Sequence, residues 1–210
     1  MTKIKDALIL FAITLLAGLL LGGVNEVTKD PIARQEELKK AEAYQAVSPQ
    51  AVSFDQPDAL KASLDGAEAL MAAQASGLGN VQIEDAVEAL DASGKPVGYV
   101  IRSTSKDGYG GAITLAVGIS LDKTVTGIDF LTINETAGLG MKAKEPAFKD
   151  QFGNKNPEIF QVTKNGASAE GDIDAISGAT FTSNAVTNAV NAARVFAAYC
   201  MDEAGGAENE

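Results

Sequence analysis

The stretch VQIEDAVEAL (Val81–Leu90), DASGKP (91–96) and VGYVIRST (97–104) decides the fold. β-Branched and apolar residues on both sides of a turn-like Gly- and Pro-containing segment read as two strands joined by a loop. ITLAVGIS (113–120) and TVTGIDFLTI (124–133) repeat it across Asp122-Lys123 and predict a second hairpin. The middle of the chain is therefore read as an antiparallel sheet.

Beyond the sheet the period changes. Pro146 to Phe152 predicts a short helix and IFQVTK a strand-like segment, followed by a long closing helix. In that helix Val186, Val190, Ala193, Ala197 and Cys200 form one apolar stripe, so Cys200 is read as a small core residue. EAGGAENE (203–210) ends the chain, and 204–210 is read as a frayed acidic tail. On the other side, Ser53 to Gly94 holds eight acids against Lys61 alone, read as a solvated face with short helices near Asp58–Leu64 and Ala67–Ala75. Asp30-Pro31 reads as the capped start of a stalk helix continuing to about Val47 within residues 25–52.

The front of the chain is of a different kind. Ala7 to Val24 reads ALILFAITLLAGLLLGGV, 18 residues without a charge and with seven Leu. As a helix it would extend roughly 27 Å. Its Leu, Ile, Phe and Val side chains favour insertion by about 5 kcal/mol. No A-x-A type cleavage site follows, so residues 1–24 are expected to be a retained anchor. Lys3 and Lys5 favour a cytoplasmic N-terminus, and Lys29 and Arg34 beyond the segment weaken that asymmetry. The fold class expected is α+β, an antiparallel sheet with flanking helices over residues 53–203 behind a single transmembrane helix.

Composition limits the chemistry. Among 210 residues there are 17 basic and 28 acidic side chains, one Cys and no His. No imidazole base, His-ligated metal or Ser-His-Asp triad can be built. The net charge of −11 gives no footprint for nucleic acid. Without Lys3, Lys5 and Asp6 the remainder carries 15 basic and 27 acidic residues, a surface that anionic lipid repels. No catalytic residue and no metal ligand set is assigned.

Three segments could hold a ligand. Asp174-Ala-Ile-Ser177-Gly178-Ala179-Thr180-Phe-Thr182-Ser183 places hydroxyls and a glycine at the start of the closing helix, where free N–H groups and the helix dipole suit a phosphate. An ordinary cap by Thr182 or Ser183 would use the same residue types. Gly108-Tyr109-Gly110-Gly111 precedes a strand and suits either close approach of a ligand or a hairpin bend. Asn134-Glu-Thr136-Ala-Gly138-Leu-Gly140-Met-Lys142 is a polar, flexible loop after another strand.

In this order the three segments resemble one family. DAISGAT is similar to the D-x-x-[ST]-G-A-T flavinylation motif of FMN-binding domains in the Rnf and Na⁺-translocating NADH:quinone reductase complexes. GYGG and ETAGLG are similar to the same pattern, over about Val97 to Cys200. Proline often stands third in the family's version of ETAGLG. The compact length resembles the G component of Rnf more than the longer C component of the quinone reductase.

The resemblance implies covalent FMN, joined through a phosphoester to Thr180, with Asp174, Ser177, Gly178 and Ala179 as the recognition sequence of a separate flavin transferase that takes FMN from FAD with Mg²⁺. Thr182 and Ser183 are rival acceptors. Tyr109, Gly110, Gly111, Glu135, Thr136, Gly138, Leu139, Gly140 and Lys142 are expected around the flavin. Lys142 could stabilise a reduced, anionic flavin or be a solvated surface lysine, and Tyr109 could pack on the ring or in the core. The function implied is an electron-relaying subunit, anchored once in the inner membrane with its FMN domain outside the cytoplasm. It would work in an ion-translocating ferredoxin:NAD⁺ oxidoreductase, reaching ferredoxin and NAD through partner subunits and not turning over alone. The alternatives are a stand-alone extracytoplasmic flavoprotein, the C component of the quinone reductase, or an envelope protein in which DAISGAT is only a helix cap.

Overall fold

The structure is a computed structural model and describes residues 2–74 and 77–207. The chain divides into two compact units, one up to Ala41 and one from Glu42 onward.

The first unit belongs to helix α1, Thr2–Val47. Ile4, Leu8, Ile9, Leu10, Phe11, Ile13, Leu15, Leu16 and the large apolar residues that follow to Val27 are all more than half exposed. A helix that is apolar on every side and covered by nothing in its own chain is suited to lipid. α1 passes through Pro31 without a break. The separate stalk helix expected to start at Asp30-Pro31 is thus part of one longer helix. Pro31 lacks an N–H, so only the Val27 carbonyl loses its intrahelical donor.

The second unit begins inside α1, eleven residues before the expected boundary at 53. Ala43, Tyr44 and Val47 are buried against Val87, Val100 and Ala116 of the sheet. Tyr44 also meets Phe54 edge-to-face at 5.6 Å and donates its hydroxyl to Asp85 Oδ2 at 3.3 Å. These contacts make the last turns of α1 a structural layer of the domain.

The sheet has five antiparallel strands in simple chain order: β1 Ser53–Asp55, β2 Val81–Leu90, β3 Pro96–Ser105, β4 Ile113–Ser120 and β5 Val125–Thr132. The two predicted hairpins are β2–β3 and β4–β5. Lys123, at φ 68°, turns the second. Alternation sorts the side chains onto two faces. Tyr99, Ile101, Ile113, Leu115, Val117 and Ile119 face the main core. Val100 and Ala116 face the end of α1.

Two helices cover the main core. α2, Asp58–Gln74, is one helix where two short ones were expected; Ala75 lies outside the described residues. The closing helix, Thr180–Ala207, is α4 in chain order, after a short α3 at Pro146–Lys149. α4 lays Val186, Val190, Ala193, Ala197 and Cys200 on the sheet, all buried. It continues to Ala207, so the expected frayed tail is helical over 204–207, and 208–210 lie outside the described residues.

Between β5 and α4 runs an irregular covering segment. It contains a 3₁₀ turn at Gly140–Lys144, then α3, a second 3₁₀ turn at Asp150–Phe152, and strands β6 Gln161–Thr163 and β7 Asp172–Asp174 paired in parallel. Phe148, Phe152 and Phe160 hold it down, with successive ring centroids 5.7 and 5.3 Å apart. Asn191 on α4 pins the same segment by accepting the Phe160 N–H at 3.0 Å and donating to its carbonyl at 2.8 Å.

Asp172 ties the loop before β7. Its carboxylate accepts the N–H groups of Ser168 and Ala169 at 3.0 and 2.9 Å, the Gln161 amide at 2.8 Å and the Ser168 hydroxyl at 3.1 Å. These donors, led by the two backbone N–H groups, hold its pKa far below the usual carboxylate range. A depressed folded pKa gives stability that is complete above the unfolded value near 4 and lost as pH falls through the folded value. Asp172→Asn should lower the urea midpoint at pH 7, with the gap to wild type narrowing steadily below about pH 4. A gap that stays unchanged on acidification would contradict this account.

Candidate flavin site

Register brings the loops together. Ser105 pairs with Ile113 and Thr114 with Thr132, so the β3–β4 loop with Gly108–Gly111 and the segment leaving β5 with Asn134–Lys142 emerge at the same end of the sheet. The N-terminus of α4 reaches that end with Asp174–Ser183. The three loops touch. Glu135 Oε1 accepts the Gly110 N–H at 3.2 Å. A Cβ on Gly140 would stand 2.6 Å from Thr182 Oγ1, and one on Gly178 would stand 3.1 Å from Leu139 Cδ2. Gly178 also has φ +76°, a conformation that a side chain would strain.

The loops enclose a cavity of about 350 Å³ lined by Tyr109, Glu135, Thr136, Leu139, Gly140, Gly178, Ala179, Phe181 and Thr182. Eight of these nine are among the residues expected from the sequence. The ninth, Phe181, is not; its signal is an aromatic directly after the motif threonine and off the apolar stripe of α4. Tyr109 is 76%, Phe181 70% and Leu139 42% exposed, so three large apolar side chains stand open at one cavity. A planar aromatic ligand or a protein partner is what such a group can hold.

Other expected contacts are placed differently. Gly110 sits in the clasped loop but does not line the cavity; Gly111, at φ +122°, and Gly138, at φ +76°, serve the turns. Lys142 lies on the 3₁₀ turn and is not among the lining residues, so no lysine charge of the described residues lines the cavity. Asp174 is exposed in β7, where its backbone N–H donates to Gln151 Oε1 at 2.7 Å, and Ser177 is exposed in the turn.

The hydroxyls of the motif divide sharply. Thr182 and Ser183 are 1% and 0% exposed. Ser183 Oγ accepts the Ile176 N–H and donates to the Ala179 carbonyl, both at 3.0 Å. Neither residue caps α4, against the cap reading. The first intrahelical bond runs from the Ser183 N–H to the Ala179 carbonyl, which puts Ala179 at the cap position without a side-chain acceptor. The N–H groups of Thr180, Phe181 and Thr182 precede that bond and point out of the helix end. Thr180 is half-buried and is not itself among the lining residues, but its chain neighbours Ala179 and Phe181 both line the cavity. An uncapped helix end beside an apolar-rimmed cavity fits a phosphate and a planar ring, and so fits FMN.

Comparison with known proteins gives the same assignment. The FMN-binding domain family matches residues 108–195 and the RnfG N-terminal region matches residues 1–47. The G component of the Na(+)-translocating ferredoxin:NAD(+) oxidoreductase complex of Acetobacterium woodii is 35% identical over 191 residues, covering 89% of this chain and 87% of that protein. The chain belongs to the RnfG family. Another RnfG-type relative, the G component of the ion-translocating oxidoreductase complex of Shewanella amazonensis, is 31% identical over 200 residues, covering 92% and 87%. The crystal structure of Shewanella oneidensis NqrC shares the fold with a TM-score of 0.50 and 23% identity, over 58% of this chain and 60% of that one. The expected α+β architecture, an antiparallel sheet with flanking helices, is the one that the RnfG chain shares with NqrC.

Proposed function

We propose that this chain carries FMN as a phosphoester on Thr180 and relays electrons within an Rnf-type ion-translocating ferredoxin:NAD⁺ oxidoreductase. The observation that carries the reading is the division of hydroxyls at the start of α4: Thr182 and Ser183 are buried, while Thr180 stands half-buried at an uncapped helix end between two residues that line the cavity. The chain has no imidazole to act as a base, and the one carboxylate among the described residues lining the cavity, Glu135, is directed to the Gly110 N–H. A separate flavin transferase fits that lack. It would join the Thr180 oxygen to the FMN phosphorus of FAD, with loss of the hydroxyl proton, cleavage of the pyrophosphate bond and departure of AMP.

Bound there, the flavin supplies the redox chemistry. The chain's own residues bind and orient it. N–H groups of the first turn of α4 would hold the phosphate, and Tyr109, Leu139 and Phe181 would offer apolar surface that keeps water from a ring. A covalent link keeps the cofactor at high effective concentration beside its redox partners outside the cytoplasm. The apolar part of α1 would cross the inner membrane once, and the acidic remainder would be repelled by anionic lipid. Electrons would arrive from and leave to partner subunits, so the chain would not turn over ferredoxin or NAD⁺ alone.

The test is the intact mass of the full chain expressed with and without a flavin transferase. A gain of one FMN with the transferase, and none without it, is expected. No gain with an active transferase overturns the reading. Co-purification with polytopic membrane subunits separates a complex subunit from a stand-alone flavoprotein.

A further inference from the structure

One side chain joins two of the three loops. Glu135 is half-buried, and its Oε1 accepts the Gly110 N–H at 3.2 Å across the gap between the Asn134 loop and the Gly108 loop. Two glycines make room for its side chain, and a third makes room for the backbone beside it. A Cβ on Gly108 would stand 2.9 Å from Oε1, and one on Gly140 would stand 2.7 Å from both the Cβ and Oε2 of Glu135. A Cβ on Gly110 would strike the Asn134 carbonyl oxygen. Of the described residues lining the cavity, Glu135 is the one carboxylate, and none is basic.

We infer that Glu135 is a positioning residue with two effects. Its carboxylate clasps the glycine loop to the Asn134 loop and so fixes the shape of the cavity. Its fixed negative charge also opposes the negative charge that a bound flavin gains on reduction, which holds the reduction equilibrium back. The clasp stands on the geometry alone, and the electrostatic effect rests on the FMN reading above.

The charge effect is sizeable because no cation among the described lining residues offsets it. Two like charges several Å apart at a partly exposed site repel by an amount that corresponds to about a tenfold change in an equilibrium constant. Glu135→Gln keeps an oxygen that can accept the Gly110 N–H and removes the charge. Glu135→Ala removes both.

The experiment uses the full chain in detergent micelles. In protein without FMN, hydrogen exchange resolved to single amides should show Gly110 exchanging at least about tenfold faster in Glu135→Ala than in wild type, and near the wild-type rate in Glu135→Gln. Equal rates in Glu135→Ala and wild type overturn the clasp. In protein whose FMN loading is verified by mass, dithionite titration with mediators should give a reduction constant about tenfold larger in Glu135→Gln, about 30 mV for a two-electron couple. An unchanged constant in fully loaded Glu135→Gln overturns the electrostatic effect. Failure of wild type to gain FMN overturns that effect together with the FMN reading, while the exchange result still decides the clasp.

Discussion

Thr180→Ala expressed with a flavin transferase should show no gain in mass and no flavin fluorescence in a denaturing gel, where wild type shows both. The loss should be complete, because an ester cannot form without the hydroxyl. Thr180→Ser restores an acceptor oxygen at the same place and should recover at least part of the loading. Thr182→Ala and Ser183→Ala separate site from scaffold. Both hydroxyls are sealed in the helix, so both variants should still gain one FMN. Ser183→Ala would also leave the Ile176 N–H without its acceptor, at a cost of about 1–3 kcal/mol in stability. Loading that survives Thr180→Ala and disappears in Thr182→Ala would reassign the acceptor.

Phe152→Ala should be the most damaging single change in stability. The ring is fully buried between Phe148 and Phe160, and its removal empties the middle of an aromatic row that holds the covering segment to the sheet. Large-to-small changes of this kind cost about 3–5 kcal/mol, of a total near 5–15 for an ordinary domain. The urea midpoint should fall accordingly. FMN loading should fall with it, because the same segment runs from the Asn134 loop to Asp174. A stability within about 1 kcal/mol of wild type would mean that the segment is held elsewhere.

The sheet was legible because β-branched and apolar residues fill four segments of eight to ten residues set off by turn residues, enough for the pattern to declare itself. The stripe of α4 was legible for the corresponding reason at period 3.6. β1 and β7, with three residues each, are too short to show any period, and only their partners Leu90 to Glu88 and Gln161 to Thr163 define them. The continuity of α1 through Pro31 was hidden because proline after aspartate is also how a helix begins. At the site, the family resemblance named eight of the lining residues, but not the position of Lys142, which a 3₁₀ turn sets, nor Phe181, whose exposure depends on where α4 docks.

The meander order of the sheet has a consequence for timing. β1 to β5 pair in simple chain order, so the sheet rests on contacts close along the chain, the kind that form early. α4 follows every strand in chain order and completes the core, and it also brings Phe181 and Thr182 to the cavity, with Ala179 at its cap. The cavity therefore does not exist until that helix has docked. An enzyme meeting the chain before docking finds four open hydroxyls in the motif, at Ser177, Thr180, Thr182 and Ser183. After docking it finds two, because the fold has withdrawn Thr182 and Ser183. Fidelity of modification then depends on the moment of encounter, and a mature domain enforces by concealment what a nascent chain leaves to sequence recognition.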